Sequence, residues 1–179
     1  ANVGDTVDAF CFSGGKCERA GTLKLSGTLG PWPIPRAAAD SELLPLFANP
    51  PASLSDYGYA SRTGSIVIHR DKRKRFLEES EAVSATALVP LVWSKNIDPK
   101  GGLSIKRVAK NCVAKFIDAE TFDSPCVIKK PAVAFQRVST DDQPRRLVCA
   151  KVPDALYQQY GGVAGENHVG FLEKNSGDT

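Results

Sequence analysis

Residues 81–94 read EAVSATALVPLVWS, and Val83, Ala85, Ala87, Val89, Leu91 and Trp93 fall on one face of an extended chain. A period of two held over this length predicts a long strand. Pro90 has no N–H to give to a ladder, so it predicts an edge position or a bulge. Upstream, GSIVIHR (Gly64–Arg70) is rich in β-branched residues and reads as a second strand. Downstream, PCVIKK, PAVAFQRVS and RRLVCAKV read as strands, with STDDQP as a turn between the last two. DALYQQY reads as one helical turn, and GENHVGFLEK as a last strand. At the start, VDAFCF and GTLKLSGTLG read as strands separated by the turn-like SGGKCERAG.

One segment has a different period. After Asp98-Pro99-Lys100-Gly101-Gly102, the apolar residues Ile105, Val108, Ala109, Cys112, Val113, Phe116 and Ile117 recur at helical spacing. They predict an amphipathic helix over about 103–118. Residues 31–53 hold six of the twelve prolines and predict a surface connection, with a short helical turn near Asp40–Phe47 capped by Asp40. The sum is a mainly β fold, a sandwich or barrel of jelly-roll type with one main helix. The chain is read as a single β-rich domain over 1–174 with a tail at 175–179.

The 179 residues are 42% hydrophobic and 24% charged, which suits a globular chain and excludes disorder, collagen and coiled coil. No apolar run approaches the ~20 residues of a membrane-spanning helix. With no methionine ahead of Ala1, the chain is expected to be a processed or trimmed form, and no signal-peptide pattern stands at its start.

The formal charge of +3 is uneven. Residues 61–115 carry twelve Lys/Arg and five Asp/Glu, against four and six in 1–60 and seven and nine in 116–179. The run HRDKRKR supplies Arg70, Lys72, Arg73, Lys74 and Arg75, and the expected helix supplies Lys106, Arg107 and Lys110. Such a block attracts phosphates, because neutralising them releases counterions. Phe76, Trp93 and Phe116 are its only neighbouring aromatics, so base stacking is not indicated. A solvated surface, or a protease or import signal, accounts for the same run.

Cys11 and Cys17 form a candidate disulfide, and the remaining three of five cysteines are scattered. No metal site is expected, since there is no CxxC pair and the histidines are only His69 and His168. No cofactor motif is present. SGGKC resembles a phosphate loop but lacks its first Gly and its Ser/Thr. No GxSxG or HExxH occurs, so the balance is against an enzyme. A small hydrolase built from Glu, His and Arg leaves no linear trace and stays a third reading.

Three stretches resemble the thirty-kilodalton superfamily of plant-virus movement proteins. LKLSGTLGPWPIP (Leu23–Pro35) has the Gly and Trp before an apolar–Pro pair. GSIVIHRDKRKRF has a strand running into Asp71 and the basic Lys72 and Arg73. ALVPLVWS, the 103–118 segment and PCVIKKPAVAF fill the later places. The resemblance implies a jelly-roll-like core, binding of single-stranded nucleic acid and host-membrane association. The expected function is therefore a viral-type, non-enzymatic β protein that binds nucleic acid or another polyanion, or self-assembles through its sheet edges, in the virion or inside a host cell. The alternative is a secreted, disulfide-bonded effector or toxin that binds a host protein.

Overall fold

The computed structural model describes residues 6–24, 35, 37–43, 46, 51–106, 114–140 and 143–174. The chain divides into two compact units, Ala1–Ser53 and Leu54–Thr179. It is mainly β, sandwich-like, with three open sheets and no closed barrel among the described residues.

The first unit contains a two-stranded ribbon, β1 (Thr6–Ser13) and β2 (Lys16–Lys24). Gly14 and Gly15 close it with φ of +57° and +77°, the left-handed pair that a two-residue hairpin turn demands. The turn is thus shorter than the sequence reading allowed, and KCERAG belongs to β2. Register places Cys11 opposite Glu18 and Cys17 opposite Phe12. Successive side chains alternate faces, so Cys11 and Cys17 lie on opposite faces of the ribbon. The expected disulfide is not formed, and Cys17, Cys126 and Cys149 carry free thiols. Phe10 and Phe12 are exposed, Phe12 to 77%. Asp8, Arg19 and Thr22 share one hydrogen-bonded cluster on this ribbon, and the Arg19 guanidinium holds the Asp8 carboxyl below its ordinary value. Asp40 lies inside a 3-10 turn, and residues 44, 45 and 47 of the helical turn expected near Asp40–Phe47 lie outside the described set. Ala38–Glu42 is a 3-10 turn, and the Asp40 carboxylate accepts from Ala37 N–H at 3.0 Å. Most of LKLSGTLGPWPIP lies outside the described residues.

The second unit holds two sheets. One has five strands in the order β4 (Arg75–Phe76), β6 (Phe116–Asp118), β5 (Leu88–Val92), β10 (Val163–Gly165), β7 (Val127–Ile128). The other has four, in the order β3 (Tyr59–Thr63), β11 (Val169–Lys174), β8 (Ala132–Gln136), β9 (Cys149–Lys151). The chain passes from β10 to β11 through the turn 166–168, so it moves from one sheet directly to the other.

Between the sheets lies a core of Val92, Ile128 and Val163 from the first against Ala132, Ala134, Ala150, Val169 and Phe171 from the second. Leu156 and Tyr157 of the helix α1 (Asp154–Tyr160) pack on it. The opposite face of the five-stranded sheet buries Val89, Leu91, Ile117, Val127 and Ala164 under Ile66, Ile68 and Trp93. That sheet is therefore covered on both faces. Each of its large side chains contributes about 1.5–3 kcal/mol by burial.

Double coverage explains the first of two differences from the sequence reading. The expected helix over 103–118 is not found at either described end. Leu103 bridges back to Ile97, residues 105–106 turn, and Phe116–Asp118 is β6; residues 107–113 lie outside the described set. An inner strand buried on both faces is apolar at consecutive positions, and so short an apolar run satisfies a helical period as well as a strand. The strand expected over Glu81–Ser94 contracts to Leu88–Val92. Val83 is 93% exposed, and its alternation belongs to a loop.

Pro90 sits in a central strand, not an edge, and its register with Phe116 is unbroken. Leu91 N–H points toward β6, donating to Lys115 O at 2.8 Å, so the nitrogen of Pro90 points toward β10. The β5–β10 pairing starts one residue later, at Leu91–Ala164, so no ladder bond is lost there. GSIVIHR is likewise not a strand. Ile66 makes one bridge to Glu166, and Val67–Arg70 is a turn.

Candidate nucleic-acid interface

Strand directions decide which loops meet. β5 and β10 are parallel, β6 is antiparallel to β5, and β8 is antiparallel to both β9 and β11. Hence the connection from β5 to β6, the connection from β8 to β9 and the turn from β10 to β11 all emerge at one end of the sheets. Hydrogen bonds tie them together. Glu166 N–H donates to Val92 O at 2.9 Å, and Asn167 N–H to Ile66 O at 3.0 Å. Gln136 Nε2 donates to Ser94 O at 2.9 Å, and Arg137 N–H to His168 O at 2.9 Å. Arg145 reaches Pro99 O at 3.4 Å.

Within the first connection, Ile97 and Leu103 form a small hairpin. Asp98 N–H donates to Gly102 O at 2.7 Å, and Asp98 Oδ1 accepts from Lys100 N–H at 2.8 Å, so Lys100 stands at the tip. The buried Asn96 anchors the base: Oδ1 accepts from Trp93 N–H at 2.7 Å and Nδ2 donates to Ser104 O at 3.0 Å. The Trp93 indole donates to Ala114 O at 2.8 Å.

These three segments, 93–115, 137–148 and 166–168, carry nine Lys/Arg against four acids, Asp98, Asp141, Asp142 and Glu166. Lys95, Lys100 and Lys106 are exposed, and none of them meets a carboxylate within ion-pair distance among the described residues. Arg137 and Arg145 direct donors at backbone carbonyls, Asn167 O at 2.6 Å and Pro99 O at 3.4 Å. A carbonyl satisfies a guanidinium N–H without cancelling its charge. Lys115 of the first connection pairs with Glu78 at 2.5 Å, and the remaining cations give this end positive charge held in place by its own loops.

Glu166 and His168 complete this end. The Glu166 side chain is only 7% exposed, whereas that of His168 is 57% exposed. Glu166 Oε2 accepts from His168 N–H at 3.0 Å, and Oε1 lies 2.5 Å from His168 Nδ1. Gly64 is what allows the turn to lie so close to its neighbour, since a Cβ at this position would stand 2.3 Å from Glu166 O.

The basic residues singled out from the sequence divide into three groups. Arg70, Lys72 and Lys74 are exposed on the segment between Ile66 and β4, and Lys74 Nζ approaches Ser84 Oγ at 3.4 Å. Arg73 and Arg75 are half-buried and engaged internally. Arg73 pairs with Asp71 at 2.5 Å and donates to Cys126 Sγ at 2.8 Å, while Arg75 donates to Ile68 O at 2.5 Å. The Arg73 guanidinium holds the Asp71 carboxyl below its ordinary value. Lys106 follows the 97–103 hairpin, while Arg107 and Lys110 lie outside the described residues. His69 is exposed on the 67–70 turn. Sequence reasoning did not single out Lys95, Lys100, Arg137, Arg145 or Glu166, and it named His168 only as one of the two histidines open to the hydrolase reading. The two lysines were already in the basic block, but only topology joins that block to Arg137, Arg145 and the turn 166–168.

Compared with known proteins, the chain matches no family model, no curated sequence and no solved structure.

Proposed function

We propose that the chain binds nucleic acid, using the loop end of its sheets to grip the phosphate backbone of a duplex. The observation that supports this is the convergence of cationic connections in which Lys95, Lys100 and Lys106 meet no carboxylate within ion-pair distance among the described residues, Lys115 alone of their described lysines pairing, with Glu78. Phosphates are the partner such a surface suits, because each contact releases condensed counterions. A duplex is favoured over unstacked bases by the aromatic content of this end. Trp93 and Phe135 are half-buried, and no Phe, Tyr or Trp ring of the three loop segments is exposed among the described residues. The secreted, disulfide-bonded alternative loses the Cys11–Cys17 bond that motivated it.

Fluorescence anisotropy on a duplex of about 25 base pairs, read across salt concentrations, tests the proposal. With Lys95, Lys100, Lys106 and Arg145 each meeting a phosphate, log K falls against log salt with a slope of about −4. No saturable binding at about 50 mM salt overturns the proposal. A single strand that binds more tightly than the duplex overturns the duplex assignment.

A further inference from the structure

We infer that His168 is a phosphate-binding residue of this interface, acting as an imidazolium clamped between the buried Glu166 carboxylate and a backbone phosphate. The inference rests on the nucleic-acid reading above. Both Glu166 oxygens are committed to residue 168, one to its backbone N–H at 3.0 Å and one to Nδ1 at 2.5 Å. The ring plane is thereby fixed and Nδ1 carries its proton toward Glu166, which leaves Nε2 on the exposed side of the ring. A neutral ring offers a phosphate oxygen only a lone pair at Nε2, and the two repel. A proton taken from solvent onto Nε2 turns that atom into a charged donor, and the ring then bridges two anions.

The groups around the ring fit this role. Arg137 of β8 holds the same turn, with its N–H on His168 O at 2.9 Å and its guanidinium on Asn167 O at 2.6 Å, and adds to the attraction for phosphate. On the turn itself the charged neighbour is Glu166. β5 meets the turn through Val92 and the 64–66 segment through Ile66, and both side chains are apolar. Phosphate binding thus takes up one proton wherever the free imidazole is neutral, and affinity falls as pH rises.

The chain has only two histidines, His69 and His168, which makes the assignment separable. Duplex affinity is measured at fixed ionic strength between about pH 5.5 and 8.5 for the wild type, His168→Gln, His69→Gln and Glu166→Gln. The wild type is expected to lose up to about tenfold per pH unit. His168→Gln is expected to bind at every pH as weakly as the wild type does at the alkaline end. His69→Gln keeps the wild-type slope. Glu166→Gln keeps the ring but not the inner anion, and gains less affinity than the wild type on acidification. Should Glu166→Gln fail to fold, the exposed His168→Gln decides alone, with a thermal melt as the folding control. A wild type that binds without pH dependence, or a slope that survives His168→Gln, overturns the inference and leaves the nucleic-acid reading standing. A wild type that binds no duplex at any pH overturns that reading itself.

Discussion

The two ends of the sheets spend their charged side chains differently. At the end where β5, β8 and β10 finish, Arg137 and Arg145 donate to carbonyls, and the side chains of Lys95, Lys100 and Lys106 are exposed with no ion pair among the described residues. At the opposite end cations meet carboxylates, Lys129 with Asp123 at 2.5 Å and Lys151 with Asp154 at 2.7 Å. That end also uses a carboxylate as a structural acceptor. Asp118 takes N–H bonds from Thr86 at 3.1 Å and from Ala87 and Glu120 at 3.0 Å. Burial pushes the Asp118 carboxyl up, but the three backbone donors outweigh it and hold the group below its ordinary value. The second of these ends is neutralised from within, whereas the first pairs Lys115 with Glu78 and leaves Lys95, Lys100 and Lys106 to a ligand.

The largest effect expected from this polarity is on binding. Reversing Lys95, Lys100 and Arg145 to Glu lowers duplex affinity by about a thousandfold at low salt. The matched reversal of Lys129 and Lys151 leaves it within about twofold. Equal losses from the two sets, read by anisotropy, remove the distinction between the ends. Next in size is Asp118→Ala, which strands three backbone donors, one of them on buried Ala87, and destabilises the fold by about 2–3 kcal/mol in urea unfolding. Because the Asp118 carboxyl is lowered in the folded state, its contribution is present above the ordinary carboxylate range. It is lost as pH falls through the lowered value. Asp118→Asn therefore flattens the acid limb of a stability–pH curve. Smaller still is Lys100→Ala, which weakens duplex binding by about three- to tenfold and makes the salt slope less negative by about 1, leaving stability unchanged. Smallest is Asp123→Asn. It removes an exposed ion pair with Lys129, and a thermal melt is expected not to move.

The legible parts of the sequence were those whose local rule and tertiary context agree. Gly14-Gly15 announced the hairpin, and the apolar runs around Ala132–Gln136 and Val169–Lys174 gave β8 and β11. Asp154–Tyr160 is a full short helix where one turn was expected. In the second unit the main misreadings fall on or beside the five-stranded sheet. Phe116–Asp118 was read as helix because burial on both faces erases the period of two. Pro90 was placed at an edge because the rule for proline does not say which neighbour its missing donor would have faced. The HRDKRKR run was legible as charge but not as geometry, since Asp71 and Ile68 O occupy Arg73 and Arg75. Arg137 and His168 are thirty-one positions apart, and only the pairing of β8 with β11 brings them together.

The passage of the chain from one sheet to the other through residues 166–168 bears on the thermodynamics of binding. The backbone of that turn is already hydrogen-bonded to Val92, Ile66 and Arg137, so folding itself has fixed the peptide that carries Asn167 and His168. A ligand landing there has little loop entropy left to remove, and the ordering penalty of recognition was met when the domain folded. Loosening the turn without touching a single contact atom would then weaken association mainly through entropy, with the enthalpy of binding largely preserved.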